Sequence, residues 1–151
     1  NGIAISGSIS MPFASPWEGR TPVEDVDAII EAYLKVGINE ISLSDASGMA
    51  VPNQVYDLCS HVRSAYPECS WWLHFHNTRG MAMANILSAQ EAGMTQFDSS
   101  FGGLGGCPFV PGAAGNISTE DVLHMCEESG IETGIDITKV IALSRPAVPA
   151  I

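Results

Sequence analysis

The sequence contains 151 residues with a formal net charge of −11, and 46% of its residues are hydrophobic. This length allows one core of ordinary size and excludes two substantial domains, so we predict a single domain over residues 1–151. The apolar content excludes a disordered chain. Because the six cations are scattered, the sequence has no basic patch for nucleic acid or an anionic membrane.

The cysteine and hydropathy patterns favour a cytoplasmic protein. None of the four cysteines lies in C-x-x-C spacing, and no signal-peptide pattern begins the chain. No apolar stretch approaches the roughly 18 residues of a membrane-spanning helix. We therefore expect a reduced, cytoplasmic protein without a membrane partner. Residue 1 is Asn rather than Met, so we expect the native start to lie upstream.

A short β-type run leads into a helical pattern four times along the chain. The first unit runs from a strand in residues 3–9 to a helix that Thr21 and Glu24 are expected to open as a capping box. Gly37 is expected to end this helix. The spacing of apolar residues in this helix predicts a buried stripe of Val26, Ile29, Ile30, Tyr33 and Leu34.

The second and third units follow the same plan. The second joins a strand at residues 40–43 to a helix that begins near Pro52, and the third joins a strand at 70–76 to an alanine-rich helix ending at Gly93. The predicted buried face of the second helix comprises Val55, Leu58, Cys59 and Val62.

The fourth unit has a strand near residues 95–99, a long loop over 101–116 and a helix capped by Ser118. A short extra helix is expected after Asp136, followed by a weakly ordered tail at residues 146–151. Alternating strands and helices predict an α/β fold with a parallel sheet.

His74 and His76 end the apolar run of the third strand. Side chains at positions i and i+2 of a strand share a face, so both imidazoles project together from its carboxyl end. This geometry suits a metal ion, and it also suits a hydrogen-bonded pair at a sheet edge. Ligands of α/β proteins bind outside the carboxyl ends of strands, which places the loops after the strands on one functional face.

The loop at residues 102–108 has four glycines in five positions, followed by Cys107. Glycine permits close approach of a ligand and confers mobility, so this thiol would meet substrate; the alternative is a surface loop with an incidental cysteine. Asp45 and Asp98 end strands and would either orient a ligand histidine or stabilise their loops. The other two histidines lie on predicted helices, where solvent or packing roles are expected: His61 and His124.

Four segments in order resemble the 3-hydroxy-3-methylglutaryl-CoA lyase family of the metal-dependent DRE-TIM lyases and aldolases. They are S-L-S-D at residues 42–45, L-H-F-H-N-T-R-G at 73–80, D-S-S-F-G-G-L-G-G-C-P at 98–108 and G-A-A-G-N at 112–116. The resemblance covers almost the whole chain but implies only the carboxyl-terminal half of the family's barrel. It implies a parallel (β/α)4 half of a TIM (β/α)8 barrel, with the short extra C-terminal helix after it.

By position, the resemblance implies that His74, His76 and Asn116 are ligands to Mg²⁺ or Mn²⁺. It implies that Cys107 is a catalytic thiol on a mobile loop. The activity implied is cleavage of a 3-hydroxyacyl-CoA to acetyl-CoA and a keto acid. The remaining implied site residues are His74 and Asp45 as catalytic groups and Gly105, Gly106, Arg79 and Ser42 as substrate or loop positions.

Three departures from the family pattern imply reduced activity of this chain alone. The family's first strand supplies an Arg-Asp pair that this sequence does not contain, and its Asp is a fourth metal ligand. Asn77 and Arg79 stand where the best-known members have Asp and Tyr, and Ser15 replaces a cysteine. Because four strands cannot close a barrel, we expect open apolar strand faces and a homodimer or partner that covers them.

Two other functions stay open at the level of sequence. One is a related H-x-H aldolase or acyl-condensing enzyme, which the G-L-G-G-C-P loop disfavours. The other is a non-catalytic half-barrel whose role is assembly.

Overall fold

A parallel sheet organises the computed structural model, which describes residues 2–107, 112 and 114–146. The strands are β1 Gly7–Ser10, β2 Ala14–Ser15, β3 Gly19–Arg20, β4 Glu40–Asp45, β5 Ser70–Phe75 and β6 Phe97–Asp98. The parallel sheet has the order β1-β4-β5-β6, and a separate antiparallel pair joins β2 to β3. The α/β prediction is confirmed. The helices are α1 Val23–Lys35, α2 Pro52–Ala65, α3 Ala82–Glu91, α4 Thr119–Glu128 and α5 Ile137–Ser144.

The first strand starts later than the sequence predicted. Ile3 and Ile5 are 87% and 68% exposed, and the strand begins at Gly7. A side chain at Gly7 would lie 2.8 Å from the Tyr33 ring, and the Tyr33 hydroxyl donates to the Ser8 carbonyl at 3.0 Å. The strand therefore begins where the backbone can pass beneath this ring of α1, and the apolar pattern upstream does not set its start.

The predicted capping box of α1 is wrong. Pro22 occupies the N-cap, and the Thr21 hydroxyl donates instead to the Met11 carbonyl at 2.8 Å. The β2–β3 hairpin just before the helix, which the sequence did not predict, draws Thr21 into this contact. Val26 and Ile30 of the predicted stripe are buried, Tyr33 and Leu34 are half-buried against the core, and Ile29 is 43% exposed.

The other helix predictions are confirmed. The predicted inward residues of α2 are all buried, and Gly37 and Gly93 follow the ends of α1 and α3 with positive φ angles. Ser118 caps α4 by accepting the Asp121 amide, and Asp136 caps α5 in the same way. Residues 147–151 of the predicted tail lie outside the described residues. None of the described helices is long and apolar enough to cross a bilayer.

The two faces of the sheet differ in polarity. The core residues of the strands alternate with a second row that is exposed or half-buried. The expectation that the open strand face would be apolar is wrong, because the apolar row packs beneath the helices. The buried row contains Ile9, Ile41, Leu43, Trp71, Leu73 and Phe75. The open row contains Ser8, Ser10, Ser42, Ser44, Trp72, His74 and Asp98.

Candidate metal centre

The end of β5 is joined by a returning segment that brings Asn116 beside His76. The Asn77 amide donates to the Gly115 carbonyl at 2.9 Å, and the Ile117 amide donates to the Phe75 carbonyl at 3.2 Å. His76 and Asn116 are thus directly opposite in an antiparallel bridge. Side chains of opposite residues point to the same face, so this bridge gathers residues that are 40 positions apart.

The two histidines lie close together on one face of the strand, as their spacing predicted. The ring centroids of His74 and His76 are 5.2 Å apart with a 57° angle between the planes. His76 is 5% exposed, and its Nδ1 has no hydrogen-bond partner among the described residues. Burial lowers the pKa of His76, and neighbouring His74 lowers it further against the opposing effect of Asp45. The neutral imidazole, which is the metal-binding form, is therefore favoured.

The Asn116 amide has a defined orientation. Its Nδ2 donates to the Leu104 carbonyl at 2.9 Å. Because a carbonyl only accepts, this bond identifies the nitrogen end of the amide and leaves Oδ1 as its free acceptor among the described residues. Amide oxygen is a suitable ligand for Mg²⁺ and Mn²⁺.

These three residues fit a divalent cation as an incomplete ligand set. An ion would satisfy the unpartnered Nδ1 of His76, and imidazole with amide oxygen is a donor set that Mn²⁺ tolerates. Within residues 2–107, 112 and 114–146, no three His, Cys, Asp or Glu side chains form a metal-binding group. A cation at this position would therefore rely on the Asn116 amide and would need further oxygen ligands from water, substrate or another segment.

Asp45 anchors the loop after β4. Its side chain is 1% exposed and accepts hydrogen bonds from the Ser47 hydroxyl and from the amides of Met49 and Ala50, at 3.0–3.1 Å. Of the two roles considered from sequence, these contacts support loop stabilisation. Asp45 also supports His76 through the backbone, since its carbonyl accepts the His76 amide at 3.2 Å.

Arg79 and Ser42 have defined positions near the ends of the strands. The Arg79 Nη1 donates to the carbonyls of Ser47 and Gly48, both at 3.2 Å, and so ties two neighbouring loops together. Ser42 pairs with Trp72 in the register of the sheet, one level below His74 on the open face.

The glycine-rich loop folds back on the segment that carries Asn116. Gly105 has a φ of +99°, and a Cβ there would lie 2.9 Å from the Asn116 Nδ2. A Cβ at Gly115 would overlap the Gly105 carbonyl, whereas at Gly106 it would meet only ordinary contacts. Cys107 follows as a half-buried free thiol. The loop positions 108–111 and 113 lie outside the described residues.

The contacts of Glu120 near the site and an ion pair on the helical layer were not predicted from the sequence. Glu120, in the first turn of α4, accepts the Gly102 amide at 2.8 Å and the Ser118 hydroxyl at 3.0 Å. Its carboxylate thus secures the beginning of the glycine-rich loop, and its position two residues after the N-cap was the available signal. On the helical layer, His61 pairs with Asp27 at 2.9 Å, which supports the predicted packing role of His61.

Comparison with known proteins places these features in a family context. A model of the HMGL-like family matches residues 3–146. The chain is 42% identical over 144 residues to an (R)-citramalyl-CoA lyase of Chloroflexus aurantiacus, covering 95% of this chain and 45% of the relative. It is 41% identical over 137 residues to the hydroxymethylglutaryl-CoA lyase YngG of Bacillus subtilis, covering 91% and 46%.

The chain is also similar to solved structures of which it covers about half. The fold matches an HMG-CoA lyase from Acinetobacter baumannii, solved in complex with coenzyme A and 3-methylmalate, with a TM-score of 0.89 and 50% identity. That match covers 94% of this chain and 47% of the other. The chain therefore spans about half the length of the relatives it matches.

Proposed function

Because this chain belongs to the HMGL-like family, we propose that it supplies the metal-binding half of a carbon–carbon lyase site that cleaves a 3-hydroxyacyl-CoA. The observation that carries this proposal is the meeting of His74, His76 and Asn116 at the carboxyl end of β5. The substrate class rests on the relatives, whose names are CoA lyases, and on the neighbour that binds coenzyme A.

The proposed reaction is a retro-aldol cleavage. A base removes the proton of the 3-hydroxyl group, the carbon–carbon bond breaks, and its electron pair passes to the thioester fragment as an enolate. Protonation of that enolate gives acetyl-CoA, and the former hydroxyl carbon leaves as the carbonyl of a keto acid. A bound Mg²⁺ or Mn²⁺ would polarise the substrate oxygens and offset the developing negative charge.

The residues of this chain have separate tasks in that reaction. His74, His76 and Asn116 would hold the ion, and Cys107 would transfer a proton to or from the reacting carbon or oxygen. Gly105 and Gly106 let the loop that carries this thiol approach substrate closely.

Three further residues line or support the proposed site. Asp45 keeps the loop after β4 in place beneath the ligands. We propose that Ser42 and Arg79 contribute substrate or loop contacts at the border of the site.

We further propose that a second copy, or another segment, covers the open face of the sheet. The open row contains serines, Trp72, His74 and Asp98, and is more polar than the apolar row beneath the helices. β1 and β6 are the edge strands of the described sheet, and an edge strand is a position at which such a partner could pair. A cytoplasmic location stays a prediction of the sequence.

The proposal is tested by Mn²⁺ titration and by cleavage of 3-hydroxy-3-methylglutaryl-CoA. His74→Ala is expected to weaken Mn²⁺ binding and abolish turnover. His124→Ala is the matched control, because it removes an exposed histidine of α4 and should change neither quantity. Normal Mn²⁺ binding by His74→Ala would contradict the assigned ligand set.

The same assays also distinguish two other functions. A related H-x-H aldolase would act on a 2-oxo acid without a thioester, although Cys107 on the glycine-rich loop argues against it. A non-catalytic half-barrel would form a dimer with neither Mn²⁺ binding nor turnover, which sedimentation of the same samples would reveal.

A further inference from the structure

His74 has a carboxylate neighbour on the adjacent strand. The register of β5 and β6 pairs His74 with Asp98, and the His74 Nδ1 lies 3.8 Å from the Asp98 Oδ2. The two side chains are 26% and 47% exposed, so both border the open face of the sheet. The distance is longer than a hydrogen bond, and a side-chain movement of about 1 Å would form one.

The sheet surrounds His74 with two different neighbours at the same level. The register places Ser44 beside it on β4 and Asp98 beside it on β6, with Ser10 one strand further away. Asp98 is thus the one charged side chain that flanks His74 in this row. Its Oδ2 approaches the Nδ1 atom of the ring.

The carboxylate of Asp45 is not available to orient the His74 imidazole. Both of its carboxylate oxygens accept hydrogen bonds from the loop after β4, and its own support of the site runs through a backbone contact to His76. Asp98, in contrast, has no hydrogen bond to its carboxylate from any described residue other than the close approach of His74. Its carboxylate is therefore free to orient the imidazole.

We propose that Asp98 is a positioning residue that holds His74 as the Nδ1–H tautomer, so that the Nε2 lone pair faces the metal. An imidazole left to itself favours the Nε2–H tautomer, which would place a proton on the nitrogen that must bind the ion. A carboxylate that accepts the Nδ1–H reverses this preference and fixes the plane of the ring. The tautomer assignment stands on this chain alone, while the metal-facing role rests on the proposed function.

The tautomer is measured by long-range ¹H–¹⁵N spectra of the histidine rings at a pH above 8 without metal. We expect Nδ1–H for His74 in the unmodified protein, Nε2–H in Asp98→Ala and recovery of Nδ1–H in Asp98→Glu. Asp57→Ala removes an equally exposed carboxylate from α2 and should leave the His74 signals unchanged. Nε2–H in the unmodified protein, or Nδ1–H in Asp98→Ala, would overturn the proposal.

Mn²⁺ titration of the same variants tests the metal-facing role. Asp98→Ala should weaken binding about 10- to 100-fold, as loss of an outer partner of a ligand histidine does, with Asp57→Ala unchanged. Equal affinity in Asp98→Ala would overturn the role of Asp98 toward the ion. If the unmodified protein binds no Mn²⁺, the proposed metal site fails, and the ring spectra still decide the tautomer assignment.

Discussion

The side-chain amide of Asn116 donates a hydrogen bond of 2.9 Å to the backbone carbonyl of Leu104. The same carbonyl accepts the Ser100 hydroxyl at 2.7 Å, so it is fixed from a second direction. The beginning of the glycine-rich loop thereby sets which end of the Asn116 amide is free. In this structure the loop supports the candidate metal centre as well as carrying Cys107.

Gly105→Ala is expected to disturb this support. Its Cβ would lie 2.9 Å from the Asn116 Nδ2, and the φ of +99° is unfavourable for alanine. Displacing the amide should weaken Mn²⁺ binding by about tenfold or more, measured by titration. Gly112→Ala is the matched control, since Gly112 has a φ of +73° but no atom of the described residues lies within 4 Å of its Cβ position. Equal losses in both variants would assign the effect to backbone strain alone.

Cys107→Ala is expected to separate catalysis from metal binding. Because the thiol is proposed to transfer a proton, its removal should lower kcat by about 10²- to 10⁴-fold while Mn²⁺ affinity stays the same. Cys69→Ala is the control, because Cys69 is also half-buried but precedes the amino end of β5. Unchanged turnover in Cys107→Ala would remove the thiol from the mechanism.

Asp45→Asn is expected to lower the free energy of unfolding by about 2–3 kcal/mol, because a buried charged acceptor loses strength and its new amide nitrogen opposes a backbone donor. Urea denaturation measures this change. The exposed Asp57→Asn should shift stability by no more than about 0.5 kcal/mol. A stable Asp45→Asn variant that loses only turnover would instead give Asp45 a direct catalytic role.

The sequence was most informative where one local pattern sufficed. The inward face of α2 follows from helical periodicity, and the caps at Ser118 and Asp136 follow from side chains that accept amides two or three residues onward. The facing of His74 and His76 follows from the two-residue period of a strand. Each of these features depends on neighbours in the chain.

The wrong predictions involve contacts between distant segments. The Thr21 hydroxyl reaches the Met11 carbonyl across the β2–β3 hairpin, and the packing of Tyr33 over Gly7 sets the start of β1. The sequence could not indicate that the Leu104 carbonyl contacts Asn116, because every residue has the same backbone carbonyl. The sequence therefore indicated the candidate ligands, while the contacts that support them came from the tertiary structure.

Glu120 is expected to make the glycine-rich loop sensitive to acid. Burial by itself raises the pKa of Glu120, but polar hydrogens facing its carboxylate outweigh burial and hold the pKa below its usual 4.5; they belong to Ser144, the Gly102 amide, the backbone amide of Glu120 itself and Ser118. In this structure the Ser144 hydroxyl donates to the Ile141 carbonyl instead. The Gly102 amide and the Ser118 hydroxyl are therefore the groups that donate hydrogen bonds to the Glu120 carboxylate.

A carboxylate whose pKa is lower in the folded protein stabilises the fold above its unfolded pKa. This contribution is lost as the pH falls below about 4.5 and through the folded pKa. Glu120→Gln should therefore be less stable than the unmodified protein at pH 7 and should approach it in strongly acidic solution. Urea unfolding across this range, with hydrogen exchange at the Gly102 amide, measures both effects. If the free energies of unfolding of the two proteins differed by the same amount at every pH, the Glu120 charge would not secure the loop.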